Sequence, residues 1–192
     1  LPTQQRFEYR AGFFGYYEEL WSSINSRNDR QSYQDGLFRL EIQTFDEQVV
    51  REAILNAVSH RDYRLGGSVF VRQFPRRMEI VSPGGLPAGI TPQNILDRQS
   101  PRNRRIAEAF VRCGLIERSG QGINRMFEQS IKQSKPLPDF SGSDEYQVNL
   151  VLRGEVQDVA FVQFLERLGA VRLASFGTHD FLVLDCVRNE RP

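Results

Sequence analysis

The chain has little of several things that would settle its class quickly. Only two of its 192 residues are cysteines, Cys113 and Cys186. They are too few and too far apart for a disulfide framework or a cysteine zinc site, so a reducing cytoplasm is the expected compartment. No apolar run approaches the roughly 20 residues needed to span a bilayer, and no membrane partner is expected. The start, LPTQQRFEYR, lacks the apolar core of a signal peptide. There is no initiator Met, which reads as an excised fragment of a longer protein. A phosphate-binding GxxxxGKS/T loop is also missing, and a helicase motor needs one. Charge of one sign is missing too: the formal net charge is +1, so bulk electrostatics does not point to nucleic acid. Lysine is nearly absent, with only Lys132 and Lys135 among 25 Lys and Arg residues. Arginine suits phosphate better than lysine does, but a GC-rich genome gives the same skew and is the preferred cause.

What is present reads as one mixed domain with an appendage. Residues 1–35 are polar and aromatic without a clean period and read as a connector, with a short helix in EELWSSINSRND. LFRLEI (37–42) alternates as a strand does. In FDEQVVREAILNAVSHRDY, Asp46 is a plausible N-cap, and Val50, Ala53, Ile54 and Ala57 keep the 3, 4, 7 spacing of an amphipathic helix. SVFVRQF and RRMEIVS read as a hairpin ending in Ser82-Pro83-Gly84-Gly85, which cannot be regular structure. PRNRRIAEAFVRCG and INRMFEQSIKQS read as helices, with Pro101 in the first turn of one and Gly114 at its C-cap. EYQVNLVLRG reads as a strand. From Gly154 the pattern turns helical, first in DVAFVQFLERLGAV and then in HDFLVLDCVRNERP.

On the first long helix, Glu52, Asn56 and His60 recur every four residues on a stripe of their own. Residues four apart are neighbours, so Glu52 and Asn56 can reach one small site. A carboxylate can deprotonate or orient water, and an Asn oxygen can hold Mg²⁺. The bland alternative, a solvated Glu–Asn pair, is favoured by spacing alone. Downstream, Gly84-Gly85 follows a strand and Gly120-x-Gly122 precedes a helix, where glycines and free N–H groups admit phosphate. A turn and a cap would read the same way. Arg102, Arg104 and Arg105 cluster in SPRNRRIAEAF, either to meet phosphate or as surface charges. His60-Arg61-Asp62 resembles a protein-kinase catalytic loop. However, the Asn expected five residues after the Asp is Gly67, and no DFG follows. His60, two turns beyond Glu52, either lines the pocket mouth or, the preferred reading, packs or caps the helix end.

Taken in order, REAILNAVSHRDY, IVSPGGLPAGIT and GLIERSGQGINRM resemble the Bergerat-type nucleotide fold of the GHKL superfamily. More closely, they resemble the ATPase-like domain of bacterial Schlafen/AlbA-type transcriptional regulators, often labelled the C-terminal domain of a RecG-type ATP-dependent DNA helicase. The resemblance covers residues 36–153. It implies an α/β fold, an α+β two-layer sandwich, binding ATP with Mg²⁺. Glu52 would activate water and Asn56 would hold Mg²⁺. Gly84 and Gly85 would flank the adenine pocket, Gly120 and Gly122 would cradle phosphate, and residues 86–119 would form a lid. No lysine serves the γ-phosphate; Arg102 is the candidate substitute. The Asp that binds adenine in the wider superfamily is missing from Ser82-Pro83-Gly84, where Ser82 is a weaker acceptor.

The expected organisation is therefore a connector (1–35), a nucleotide-binding domain (36–153) and a mostly helical, winged-helix-like start (154–192). Phe181, Leu182, Leu184 and Val187 would form the first core of that last part. The expected role is nucleotide-dependent regulation in a transcriptional regulator, with slow hydrolysis or none. DNA would be met mostly through parts outside this chain. The rival expectation is a degenerate scaffold that mediates homodimerisation without nucleotide.

Overall fold

A computed structural model describes residues 5–35, 38–98, 100–116 and 121–190. The elements follow the hydrophobic patterning closely. Helix α1 (Tyr17–Asn25) precedes an antiparallel pair, β1 (Arg30–Asp35) and β2 (Phe38–Gln43). Then come α2 (Glu47–His60), the hairpin β3 (Phe70–Gln73) and β4 (Arg77–Pro83), α3 (Arg104–Arg112), α4 (Gly122–Lys132) and β5 (Gln147–Arg153). Strand β4 is the centre of an antiparallel sheet in the order β3-β4-β5. The chain ends in α5 (Val159–Leu168), α6 (Ala170–Leu173) and α7 (Thr178–Asn189). This is a mixed α/β architecture with two small antiparallel sheets.

Helix α2 starts where the sequence says it should. Asp46 Oδ1 accepts from the backbone N–H groups of Gln48 and Val49, at 2.9 and 3.2 Å, which satisfies two donors that the helix itself cannot. Its apolar stripe, Val49, Val50, Ala53 and Ile54, is buried against the sheet and α4. On β4 the period of two sends Met78, Ile80 and Ser82 inward and leaves Arg77 exposed. Leu150 and Leu152 of β5 and Met126 and Phe127 of α4 complete that core. Gly114 takes a positive φ of 71° just beyond α3, as a helix-ending glycine does. Helix α3 starts at Arg104, so Pro101 precedes it instead of occupying its first turn.

Residues 1–35 contain more structure than a connector suggests. Trp21 and Ile24 of α1 lie in the main core, and β1 pairs with β2 across the expected boundary at residue 35. Arg51 of α2 fixes α1 by a two-pronged pair with Glu18 (2.9 and 2.7 Å), with its guanidinium 4.8 Å from the Tyr17 ring centre. The tail likewise packs back on the domain. Phe181 of α7 and Phe161 and Leu165 of α5 enclose Ile131 of α4, with Leu182 and Leu184 partly buried beside them. Val187 stays exposed. The buried Arg188 of α7 pairs with Asp185 (2.7 Å) and donates to Ser134 Oγ just beyond α4.

Ile131 is therefore the anchor of the tail. Ile131→Ala is expected to lower unfolding free energy by about 2–5 kcal/mol, as large-to-small core changes do. Val183→Ala, on the exposed side of α7, should stay within about 0.5 kcal/mol. Urea unfolding of the two variants checks the contrast.

Candidate functional site

The polar stripe of α2 faces a cavity, not open solvent. Asn56 Nδ2 donates to Glu52 Oε1 at 2.7 Å and to the Glu52 backbone carbonyl at 2.9 Å. The amide nitrogen is thereby committed, and the amide oxygen, the atom that can hold a cation, lies outside that bond. Gly122 opens α4 directly against the Glu52 carboxylate. Any side chain there would occupy the position of Glu52 Oε1 and Cδ. The acid thus sits at a helix N-terminus, where the backbone dipole favours negative charge. Gly120 lies outside the described residues.

At the other end of α2 a clasp closes over the glycine turn. Gly84 has φ +90°, and a Cβ on it would stand 2.6 Å from both Asp62 Cβ and Arg102 Nη1. Its N–H donates to Tyr146 O (2.7 Å) and that of Gly85 to Glu145 O (3.2 Å). Both N–H groups are thus spent on the chain leading into β5. Arg102 donates to Asp62 Oδ2 (3.1 Å) and to Gly85 O (2.5 Å). The next residue, Asn103, donates to the carbonyls of Ser59 (2.8 Å) and Arg61 (2.7 Å). Arg102 and Asn103 therefore tie the segment after Gly85 to the end of α2. Arg104 pairs with Glu108 on the exposed surface of α3, where Arg105 is also exposed. Ser82 is buried and its hydroxyl donates to Ala57 O at 2.8 Å.

Between these ends lies a cavity of about 280 Å³. Its walls come from α2, the inner face of β4 and β5, the start of α4 and the segment 86–116. Most are apolar, including Ile80, Leu86, Ile90, Ile95, Met126 and Leu150. Glu52, Asn56, His60, Ser82 and Gly122 all contribute to the lining, whereas Gly84, Gly85 and Arg102 lie outside it. Two exposed arginines, Arg98 and Arg125, also border it, as do Gln121 and Asn124. Reading the sequence in order missed both arginines: Arg98 lies outside the quoted motifs, and Arg125 stands within GLIERSGQGINRM but was not singled out. Arg125 could have been found, since it stands one helical turn after Gly122. His60 lines the cavity instead of only ending the helix. Its Nδ1 is buried with no hydrogen-bond partner, and burial, helped by Arg102, pushes the imidazole pKa down. Among the described residues, no three His, Cys, Asp or Glu side chains converge as a metal site. No described helix is long and apolar enough to cross a membrane.

Residues 66–152 match the family model described as "Putative ATP-dependent DNA helicase recG C-terminal". This is the domain that the motifs resemble. The matched span takes in the hairpin, the glycine turn, α3, α4 and most of β5, while Glu52 and Asn56 precede it. Among solved structures, the DIP2311 protein from Corynebacterium diphtheriae superposes with a TM-score of 0.78 at 25% sequence identity. That match covers 91% of this chain but only 36% of the other, so the present chain spans about a third of that protein's length. No curated protein matches.

The clasp makes a pH prediction. Three hydrogen bonds from Arg64, two from its guanidinium and one from its backbone N–H, and the nearby Arg102 charge hold the Asp62 carboxyl well below the usual carboxylate range. A folded pKa below the unfolded value, about 3.9, gives stability that is present above that pH and lost as the pH falls below it. Urea unfolding from pH 5 to pH 2 should show this loss, and Asp62→Asn should flatten the curve.

Proposed function

We propose that this cavity binds a nucleoside triphosphate, ATP, with Mg²⁺. The observation that carries the reading is the pairing of an apolar cavity with a Glu–Asn couple set against the glycine that opens α4. An apolar wall with a few convergent polar groups suits an aromatic ring, and the N-terminus of α4 suits an anion. The match of residues 66–152 to an ATPase-like domain supports the same reading.

The residues present fit Mg²⁺ without a dedicated cage. Mg²⁺ keeps much of its water and is held by one or two hard oxygen ligands together with substrate phosphates. Asn56, through its amide oxygen, would hold it, and the ion would offset phosphate charge when bound. Gly122 lets the Glu52 carboxylate lie against the start of α4, and Arg98 and Arg125 add positive charge at the mouth. Glu52 accepts a proton from the attacking water. Its bond to Asn56 fixes the direction of the carboxylate but occupies one oxygen, which favours slow turnover. In this reading the domain belongs to a bacterial transcriptional regulator, and nucleotide occupancy biases DNA binding by neighbouring parts.

A second reading has its own support. The N–H groups of Gly84 and Gly85 and the guanidinium of Arg102 are all consumed internally. Such a molecule could serve as a scaffold for self-association. Thermal melting separates the two: ATP with Mg²⁺ at 100 times its Kd adds about 2.7 kcal/mol of stability, and a pure scaffold shows no shift.

Isothermal titration with ATP and Mg²⁺ tests the main reading directly. Folded protein that takes up no heat at millimolar nucleotide would refute it. Given binding, Glu52→Ala should keep affinity within a few-fold and lose turnover; retained hydrolysis would remove Glu52 as the base.

A further inference from the structure

Most of the positive charge around the cavity is already spent. Arg102 donates to Asp62 and to the Gly85 carbonyl, and Arg61 donates to the carbonyls of Leu65 and Gly67. Arg104 pairs with Glu108 on the outer side of α3, and Arg125 of α4 is engaged as well. Arg98 breaks the pattern. It borders the cavity and is exposed, and among the described residues its guanidinium meets no carboxylate and no hydrogen-bond acceptor. Beside it lies Gly89, where a Cβ would stand 3.8 Å from Arg98 Nη1, an ordinary contact that costs little to leave.

Position gives that charge a use. The neighbouring Asp97 lies 3.7 Å from His179 in the first turn of α7. Thr178, next to His179, accepts from Asn124 Nδ2 (3.3 Å) and donates to Glu128 (2.6 Å), both on α4. The first turn of α7 thus gathers residue 97 and α4 together, and Asn124 itself borders the cavity. Arg98 therefore stands at the α4 end, which also holds Glu52 and Gly122, but at its exposed rim. A nucleotide with its ring among the apolar walls and its metal at Asn56 directs its phosphate chain toward that rim, and the terminal phosphate reaches furthest. We propose that Arg98 is a specificity-determining residue of this site: its guanidinium pairs with the terminal phosphate of a nucleoside triphosphate, a group that a diphosphate does not present there. The planar fork of N–H donors matches two phosphate oxygens at once. The inference rests on the nucleotide reading above and deepens it by naming what separates triphosphate from diphosphate.

The test measures binding of ATP and of ADP by titration in saturating Mg²⁺. The wild-type protein should favour ATP roughly tenfold, a factor at the low end for a charged hydrogen-bonded pair because the rim is open to water. Arg98→Gln should bring the two affinities within about twofold by weakening ATP alone. Arg98→Lys, which keeps the charge and loses the fork, should retain part of the preference. Arg104→Gln removes the same charge from the outer side of α3 and should leave the ratio unchanged. Circular dichroism and melting confirm that each variant is folded. Equal wild-type affinities would overturn the assignment while leaving nucleotide binding intact. So would an Arg98→Gln variant that weakens both nucleotides alike, or a preference lost in Arg125→Gln and kept in Arg98→Gln. Wild-type protein that binds neither nucleotide would overturn both readings.

Discussion

Val50, Ala53 and Ile54 are at most 3% exposed, and burying them fixes α2 between the sheet and α4. That one packing constraint sets the direction of everything else on the helix. Once the apolar stripe is committed to the core, the stripe carrying Glu52, Asn56 and His60 has a single place to go, the gap beside the start of α4. Gly122 matters because the acid arrives where a side chain would otherwise be. The site is a by-product of two periodic patterns on one helix, held in phase by the cap at Asp46.

The second constraint is electrostatic and lies at the far end of the helix. Asp62 could have been an acceptor for a ligand. It is instead matched by Arg64 and Arg102, and Arg102 also binds the Gly85 carbonyl. A charged hydrogen bond to a half-buried guanidinium is stronger than a neutral one, so this clasp rigidifies the glycine turn at the expense of a free carboxylate. Gly84 belongs to the same bargain. Its positive φ and the lack of room for a Cβ let Asp62 and Arg102 close against the backbone.

Local periodicity made much of the fold legible. Helix α2 with its cap, the β3–β4 hairpin, β5 and the glycine ending α3 all carry short-range signals. Strand β1 does not: RQSYQD is polar and holds few strand formers, and its pairing with β2 gives it its shape. The docking of the tail was hidden for a related reason, since Arg188 meets Ser134 far along the chain. Within the site, Glu52 and Asn56 were readable because four-residue spacing is itself geometry. Arg102 was readable only as a basic residue; its partner, 40 positions away, decides that it ties down a loop instead of lining the cavity. Arg98 reaches the site because the segment after the glycine turn folds back over it, whereas Arg125 is carried there by the start of α4.

The two ends of the cavity differ in kind, and the difference bears on what such a site can do. At the α4 end the Glu52–Asn56 couple is rigid and close to N–H donors, a preorganised place for charge. At the end of α2 the polar groups are tied into the clasp, and among the described residues of the lining His60 alone keeps an unmatched buried atom. The cavity thus meets charge at one end and a closed network of hydrogen bonds at the other. Because the clasp joins α2, the glycine turn and the segment before α3, a displacement at that end would be felt by all three. Coupling of that kind follows from shared hydrogen bonds and needs no long relay.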